Sequence, residues 1–308
     1  MRLTILGVGS LGSVFASCFA STSHSVHLHV RGERGAQTIL EGVKVSGQGV
    51  ESISAERFLF TCEELDIPSV FHGSSDIVLL ACKSYDVPTL AELASLLLKS
   101  DGIALAVSNG LGHAETLART LGPNRVVTAT TTHGAFSGTD GVVWAGKGVL
   151  NLARTPLGPP DEVFSALVKV LDEAGLSPKI ESDPASMVWE KVLLNVSINP
   201  IAALAGLQNG ELLAPDLFSS CMVVYREAAN VAQLERVAIP AEPEFEQRLR
   251  EVLEATASNE CSMLQDIKEG RKTEIDSLNQ AVVNKGEEHG LSLPVNQLLA
   301  TLIRSCRP

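Results

Sequence analysis

The chain has 308 residues, of which 45% are hydrophobic and 19% charged, so it can form two domains with sizeable cores. Its net charge of −12 argues against general nucleic-acid binding and against attachment to an anionic membrane. The overall field repels an anionic ligand, so a site for one must be built from a few local cations.

Cysteine and histidine spacing predicts neither a disulfide framework nor a metal site. The six cysteines include no CxxC pair, and the seven histidines have no ligand-like spacing. The first residues lack the order of a secretory signal, and no apolar run is long enough to span a bilayer. Scattered free thiols fit a reducing compartment, so we expect a cytoplasmic protein.

The first half of the chain alternates short apolar runs with helical segments. Such alternation, with strands that are apolar throughout, is typical of parallel strands covered on both faces. It predicts an α/β Rossmann domain with a doubly wound, mostly parallel sheet. The predicted strands are Leu3–Leu6, Val26–Val30, Ile77–Ala81, Ile103–Val107 and Val126–Thr130, and the predicted helices include Gly12–Ala20 and Leu90–Leu98.

The rest of this domain is less regular. Gly42–Phe60 is interpreted as a small hairpin or an edge insertion, and Val142–Leu152 as antiparallel edge strands. A helix at about Asp161–Ala174 and a short strand at Pro178–Glu181 follow. Ser182-Asp183-Pro184 is a good helix start, so we place the Rossmann domain at residues 1–182 and a second domain at residues 183–308.

Strand signals are missing from the second half, which predicts an all-α domain. Its amphipathic helices could form a homodimer or could equally form the domain's own core. The segments with helical periodicity are Met187–Leu204, Phe218–Leu234, Phe245–Ala257, Glu274–Glu288 and Gln297–Ile303.

A GxGxxG motif lies directly after the first predicted strand and opens the first predicted helix, which is the context that dinucleotide binding requires. The first glycine permits a tight turn, the second lets the backbone approach a pyrophosphate, and the third lets helix and strand pack closely. A glycine-rich turn without a ligand is the alternative. The motif consists of Gly7, Val8, Gly9, Ser10, Leu11 and Gly12.

Arg31 occupies the position at the end of the second strand that decides between NAD and NADP. An acid there would bind the ribose 2′-hydroxyl, whereas a guanidinium can bind a 2′-phosphate in a fork. Glu33 weakens this interpretation, and Arg31 and Arg34 could be ordinary surface cations. We predict NADPH/NADP+ as the cofactor.

Lys191, Asn195 and Asn199 are spaced four apart in an otherwise apolar segment that runs into Pro200. On a helix they form one polar row, and polar groups on an apolar helix must be paired or must line a cleft. A lysine that extends to solvent, with capping asparagines near a proline kink, is an equally weighted alternative.

Two further clusters are less telling by spacing alone. Asn259–Asp266 and Lys272–Asp276 favour a solvated helix face. Lys83 and Asn109 each follow a buried strand, where ligands bind in open α/β sheets, although turn residues are the alternative.

In this order, and together with Thr130–His133 and Asn209–Leu212, these motifs resemble the ketopantoate reductase family of pantothenate biosynthesis. The resemblance runs from about residue 3 to residue 296. It implies a Rossmann domain and a helical domain with the active site in the cleft between them.

The resemblance also implies roles for individual residues. Lys191 would be the general acid, and Glu274 would be an acid at both cofactor and catalytic site. Cofactor contacts would come from Lys83, Asn109, the Ala135 backbone and, at the 2′-phosphate, Arg31. Substrate contacts would come from Asn109, Lys191, Asn195, Asn199, Asn209, Asn259 and Ser262.

The implied reaction is NADPH-dependent reduction of 2-dehydropantoate to pantoate, with hydride delivered to the C2 carbonyl and a proton donated by Lys191. Two alternatives stay open at this point. One is a reductase of the same fold that acts on another small 2-oxo acid. The other is a non-catalytic NADPH sensor, which has no need of Lys191 and Glu274.

Overall fold

The computed structural model describes residues 1–306 of the chain, and the chain divides into two units. The first unit comprises Met1–Ser108 and Gly112–Pro184. The second comprises Asn109–Leu111 and the residues from Ala185 onward. The predicted fold class, a mostly parallel Rossmann sheet followed by a helical region, is confirmed.

An eight-stranded sheet with the order β11-β10-β7-β6-β5-β1-β2-β4 forms the centre of the first unit. All its neighbouring strands are parallel except β10, which is antiparallel to β7. A smaller sheet has the order β3-β9-β8. The strands are β1 (Arg2–Leu6), β2 (Ser25–Val30), β3 (Val45–Ser46), β4 (Phe58–Cys62), β5 (Ser75–Leu80), β6 (Leu98–Ala106), β7 (Val126–Thr131), β8 (Gly134–Gly138), β9 (Gly141–Gly146), β10 (Leu150–Ala153) and β11 (Pro178–Glu181).

Helices cover this sheet, and apolar side chains of both layers form the core of the unit. Val14, Phe15 and Leu28 are fully buried there. Burial of such side chains stabilises the fold by roughly 25 cal/mol for each Å² of apolar surface removed from water. The helices are α1 (Ser10–Ala20), α2 (Gly32–Glu41), α3 (Val87–Leu97), α4 (His113–Leu121) and α5 (Asp161–Glu173).

Strand register brings the candidate cofactor segments to one edge. Leu6 of β1 pairs with His29 of β2 and with Leu80 of β5, so these three parallel strands end at the same level. The residues that follow them are the glycine motif, Arg31 and Lys83. Parallel register therefore collects all three at the carboxyl edge of the sheet, where ligands bind in such folds.

Two irregular segments match the predictions in part. Gly42–Phe60 is not a simple hairpin but contributes edge strands, because β3 joins the edge of the small sheet while Phe58 begins β4 at the edge of the large one. The antiparallel prediction for Val142–Leu152 is confirmed, since β9 pairs antiparallel with β8 and β10 with β7. Its edge placement is wrong for β10, which β11 covers.

The second unit is helical, and its core is apolar. No helix within residues 1–306 combines the length and apolar character needed to cross a bilayer. The helices are α6 (Pro184–Ala205), α7 (Pro215–Leu234), α8 (Glu242–Ala255), α9 (Ser262–Lys268), α10 (Asn279–Glu288) and α11 (Pro294–Ser305).

The predicted helix Glu274–Glu288 starts too early, and this matters for the candidate site. Helix α10 begins at Asn279, and Glu274 lies in the turn before it. The Glu274 carbonyl accepts from the Ser277 N–H at 3.1 Å and lies 3.0 Å from the Ser277 hydroxyl, so a turn takes up the acceptor that an α-helix would bond four residues on.

Helix α6 continues past Pro200 instead of ending there. Proline has no N–H to donate to the carbonyl four residues earlier, which is that of Val196. The side-chain amide of fully buried Asn279 donates to this carbonyl at 3.2 Å. A neighbouring helix therefore replaces the missing hydrogen bond, and the row of Lys191, Asn195 and Asn199 stays on one regular helix.

Candidate functional site

The glycine motif has the geometry that a bound pyrophosphate needs. Gly7 has a φ of 91°, which L side chains rarely adopt, and a Cβ there would lie 2.8 Å from the Cβ of Cys82. A Cβ on Gly12 would collide with the Gly7 carbonyl oxygen, so the helix needs glycine to pack against the turn. A Cβ on Gly9 would meet no atom within 4 Å. Packing within the chain thus explains Gly7 and Gly12, whereas Gly9 faces open space that a ligand can approach.

Side chains beside this turn come from distant parts of the chain. The Ser10 hydroxyl lies 3.2 Å from that of Ser137, on the same strand as Ala135. Arg34 donates to the Ser137 hydroxyl at 3.2 Å, so a guanidinium also lies close to the glycine turn. Lys83 follows Cys82, which packs against Gly7. Helix α1 begins at Ser10, and its N-terminus favours anions.

Arg31 forms a two-bond fork with the carboxylate of Asp86. The Nη2–Oδ2 distance is 2.6 Å and the Nη1–Oδ1 distance is 3.3 Å. A second carboxylate oxygen, on Glu63, lies 3.9 Å from the guanidinium. The side chain of Arg31 is 58% exposed, whereas that of Asp86 is 19% exposed. The cation predicted to bind a phosphate therefore already pairs with an acid that the sequence reasoning missed, and its role at a phosphate stays a prediction.

In the second unit, the partly buried ammonium group of Lys191 is a candidate proton donor. Burial lowers the pKa of Lys191 to about 8, and the Glu274 carboxylate opposes this shift. A pKa near neutrality lets a lysine hold a proton at working pH and still release it readily.

Glu274 also holds Asn109. The Asn109 amide donates to the Glu274 carboxylate at 3.0 Å. The one proton of the Ser277 hydroxyl is shared between the Asn109 carbonyl at 3.1 Å and the Glu274 carbonyl at 3.0 Å. Glu274 is only 6% exposed, so the expectation of a solvated face is wrong there, as it is for the 2% exposed Asp266. One buried carboxylate thus acts on both the lysine and the amide that the resemblance assigned to the site.

Asn209 carries a buried acceptor without a partner. Its side-chain nitrogen donates to the Thr256 hydroxyl at 2.9 Å, and its backbone N–H donates to the Asn259 carbonyl at 2.9 Å. Its side-chain oxygen is buried and has no hydrogen-bond partner in the part of the chain that the structure describes. An unpaired buried acceptor costs free energy, so this atom is suited to accept a hydrogen bond from a ligand.

The other predicted substrate residues lie on or beside α6 and α9. Asn195 is partly buried on α6, and Asn199, one turn on, is 7% exposed. The Cys261 thiol donates to the Asn199 carbonyl at 3.5 Å, which places Asn199 near Ser262, the exposed first residue of α9. Asn259 is exposed and contributes its carbonyl to Asn209.

These contacts bring the predicted residues together in two sets. The first unit joins the glycine motif with Arg31, Lys83 and the strand of Ala135. The second unit joins Lys191 with Glu274 and Asn109, and Asn209 with Asn259. Sequence reasoning missed Asp86, Ser137, Thr256 and Ser277, and only Asp86 offered a signal, as an acid three residues after Lys83.

Comparison with known proteins decides the family. A family model described as ketopantoate reductase PanE/ApbA matches residues 3–156, and its C-terminal counterpart matches residues 184–307. The chain belongs to the ketopantoate reductase family. A 2-dehydropantoate 2-reductase of Halobacterium salinarum is 34% identical and covers 99% of this chain and 98% of its own length. One of Archaeoglobus fulgidus is 31% identical and covers 98% and 97%.

Solved structures agree with this family assignment. A PanE/ApbA family ketopantoate reductase from Ralstonia eutropha has a TM-score of 0.86 and 26% identity, covering 99% of this chain and 98% of its own. D-mandelate dehydrogenase with NADH and anilino(oxo)acetate has a TM-score of 0.88 with the same coverage. At 23% identity, that second likeness shows a shared fold alone.

Proposed function

We propose that this protein reduces 2-dehydropantoate to pantoate with NADPH, and that Lys191 donates the proton. Family membership and full-length relatives named 2-dehydropantoate 2-reductase support the reaction. The observation that carries the mechanism is the partly buried Lys191, whose pKa is about 8, beside the Glu274 carboxylate.

The first unit is assigned to the nucleotide. The open space at Gly9 and the helix start at Ser10 fit a pyrophosphate, so the residues present suit the cofactor. Arg31 would bind the 2′-phosphate, and Lys83 and the Ala135 backbone would add contacts. When bound, the nicotinamide supplies a hydride for the C2 carbonyl of the substrate.

The second unit is assigned to the substrate. Negative charge grows on the C2 oxygen as the carbonyl is reduced, and the Lys191 ammonium would stabilise this charge and then transfer a proton from Nζ. Its positive charge would also attract the anionic substrate in an acidic protein. Asn109, Asn195, Asn199, Asn209, Asn259 and Ser262 would bind and orient the substrate.

Glu274 would have two tasks in this arrangement. Its carboxylate keeps Lys191 more strongly protonated than burial alone would allow. It also accepts the Asn109 hydrogen bond at 3.0 Å, so the amide is held in a fixed position. A positioned proton donor with fixed neighbours typically contributes ~10²–10⁴ in rate.

The test follows NADPH absorbance with purified protein and 2-dehydropantoate, with pyruvate and 2-oxoisovalerate as competing substrates. Lys191→Ala is expected to lower kcat by roughly 10²–10⁴. Lys179→Ala, at an exposed lysine of β11, is the matched control and should leave turnover unchanged. If another oxo acid is turned over preferentially, that acid is the substrate. If Lys191→Ala has unchanged turnover, Lys191 is not the proton donor.

A further inference from the structure

The end of β2 carries more negative than positive charge, although it is the position assigned to a phosphate. Arg31 is paired with Asp86, and Glu63 lies 3.9 Å from the same guanidinium. Glu64 accepts a hydrogen bond from the Gly32 N–H at 2.7 Å, so an acid also occupies a backbone donor beside Arg31. Two carboxylates therefore face the cation that would bind a 2′-phosphate, and a third lies on the backbone of the next residue.

In the pair of Arg31 and Asp86, Asp86 is the residue held in place by its surroundings. The turn Ser84–Asp86 follows Lys83, and the Asp86 N–H donates to the Lys83 carbonyl at 2.9 Å. The Asp86 side chain is largely buried, whereas Arg31 extends from the surface. A phosphate that binds Arg31 must then either displace the guanidinium from Asp86 or share it with that carboxylate.

We propose that Asp86 determines cofactor specificity, because its carboxylate competes with the 2′-phosphate of NADPH for Arg31 and so narrows the preference for NADPH over NADH. This rests on the proposed use of NADPH. The same carboxylate can accept a hydrogen bond from the free 2′-hydroxyl of NADH, as acids at this edge of Rossmann folds do. Asp86 thus weakens NADPH binding through its negative charge and can bind the ribose of NADH.

The size of the effect follows from simple electrostatics. A phosphate bound to Arg31 lies within roughly 4–6 Å of the Asp86 carboxylate, close enough for charges to interact measurably even at a hydrated surface. We expect Asp86→Asn, which keeps the size of the side chain, to lower the Kd for NADPH about ten-fold. The Kd for NADH should stay the same or rise.

The experiment measures the Kd of NADPH and of NADH by equilibrium titration for the wild type and for Asp86→Asn. Glu63→Gln should shift the ratio of the two constants in the same direction but less, because its carboxylate lies farther from Arg31. Asp172→Asn removes one negative charge from an exposed site on α5 and should leave the ratio unchanged. Thermal unfolding of each variant checks its fold.

The results distinguish two roles for Asp86, competition with the 2′-phosphate for Arg31 and support of the Arg31 side chain. Weaker NADPH binding by Asp86→Asn, or an equal change for both nucleotides, would overturn the inference and make Asp86 a support for Arg31. If Asp86→Asn shifts the ratio of the two Kd values but the protein reduces no 2-oxo acid, the role of Asp86 is supported and the proposed function is wrong. If the protein reduces 2-dehydropantoate but the ratio is unshifted, the proposed function is supported and the role of Asp86 is wrong. If neither nucleotide binds, both are wrong.

Discussion

The Thr256 hydroxyl determines which way the side-chain amide of Asn209 faces. Thr256 donates its only hydroxyl proton to the Val252 carbonyl at 2.7 Å. It therefore accepts at the 2.9 Å contact with Asn209, which must present its nitrogen to the threonine. The Asn209 oxygen is left as the buried, unpartnered acceptor, so this position suits a hydroxyl group better than a carboxylate.

We therefore expect Thr256→Val to reduce selectivity for 2-dehydropantoate, which carries a hydroxyl, over 2-oxoisovalerate, which does not. A site that binds a hydroxyl rejects analogues without one, and this discrimination should fall by about ten-fold or more. Thr256→Ser keeps both hydrogen bonds and serves as the control. An unchanged ratio of kcat/KM values in Thr256→Val would mean that the Asn209 oxygen does not meet the substrate.

The lowered pKa of Lys191 leads us to expect a loss of activity at alkaline pH. A proton donor works only when protonated, and the pKa of Lys191 is lowered to about 8 by burial. We expect kcat/KM to fall as the pH rises above about 8. Glu274 raises this pKa, so Glu274→Gln should move the fall to lower pH.

Glu190→Gln is the matched control for this pH profile, because Glu190 precedes Lys191 but pairs with Arg248 at 2.7 Å. Its alkaline limb should coincide with that of the wild type. A limb that moves to higher pH in Glu274→Gln would show that the carboxylate does not act on the proton donor.

Two glycines of the same turn are expected to have different roles, Gly9 in nucleotide binding and Gly12 in folding. Gly9→Ala should weaken nucleotide binding at least ten-fold with little change in Tm, because its Cβ meets only open space within the chain. Gly12→Ala should lower Tm by several degrees, because its Cβ collides with the Gly7 carbonyl. Nucleotide titration and thermal unfolding check the pair. Normal NADPH and NADH binding by Gly9→Ala would show that no pyrophosphate approaches this turn.

Acid should destabilise the first unit through His27. This fully buried side chain bonds Thr4 at 3.0 Å and Thr61 at 2.9 Å. Burial, with smaller contributions from His29 and Arg2, lowers its pKa from 6.5 to about 3. Below pH 6.5 the unfolded state binds the extra proton, so stability falls as the pH drops toward 3 and loses about 2 kcal/mol by pH 5.

Urea unfolding at pH 7 and pH 5 measures this loss. His27→Gln should be less stable at pH 7 but should show a flatter dependence on pH. His72→Gln, at an exposed histidine, should keep the wild-type slope. An equal slope in wild type and His27→Gln would exclude His27 as the source.

Local signals predicted those parts of the fold that depend on local chemistry. The glycine turn, the polar row on α6 and the five strands β1, β2, β5, β6 and β7 each follow from a short pattern of residues. The turn at Glu274 could not be predicted in this way, because Ile275 and Leu278 have helical spacing. The Ser277 hydroxyl lies instead within hydrogen-bond distance of two backbone carbonyls outside a helix. A side-chain bond to a distant segment overrides local periodicity here.

Long-range register explains what the sequence could not predict in the site. Arg31 and Asp86 are 55 positions apart and meet because β2 and β5 flank β1 and end level with it. Thr256 and Asn209 are 47 positions apart, with Thr256 directly after α8 and Asn209 between α6 and α7. The cytoplasmic location and the boundary at residue 182 stay predictions, and the choice between a homodimer and a monomer stays open.

The segment Asn109–Leu111 gives the chain an interleaved architecture. Gly110 has a φ of 109°, and a Cβ there would collide with the Ser277 carbonyl, while the Leu111 N–H donates to that carbonyl at 2.9 Å. Three residues from the first half of the chain are thus part of the helical unit. Recombination at residue 184 between two relatives would take Glu274 from one parent and its asparagine from the other, so the hybrid keeps this hydrogen bond only where the two parents supply a matching pair.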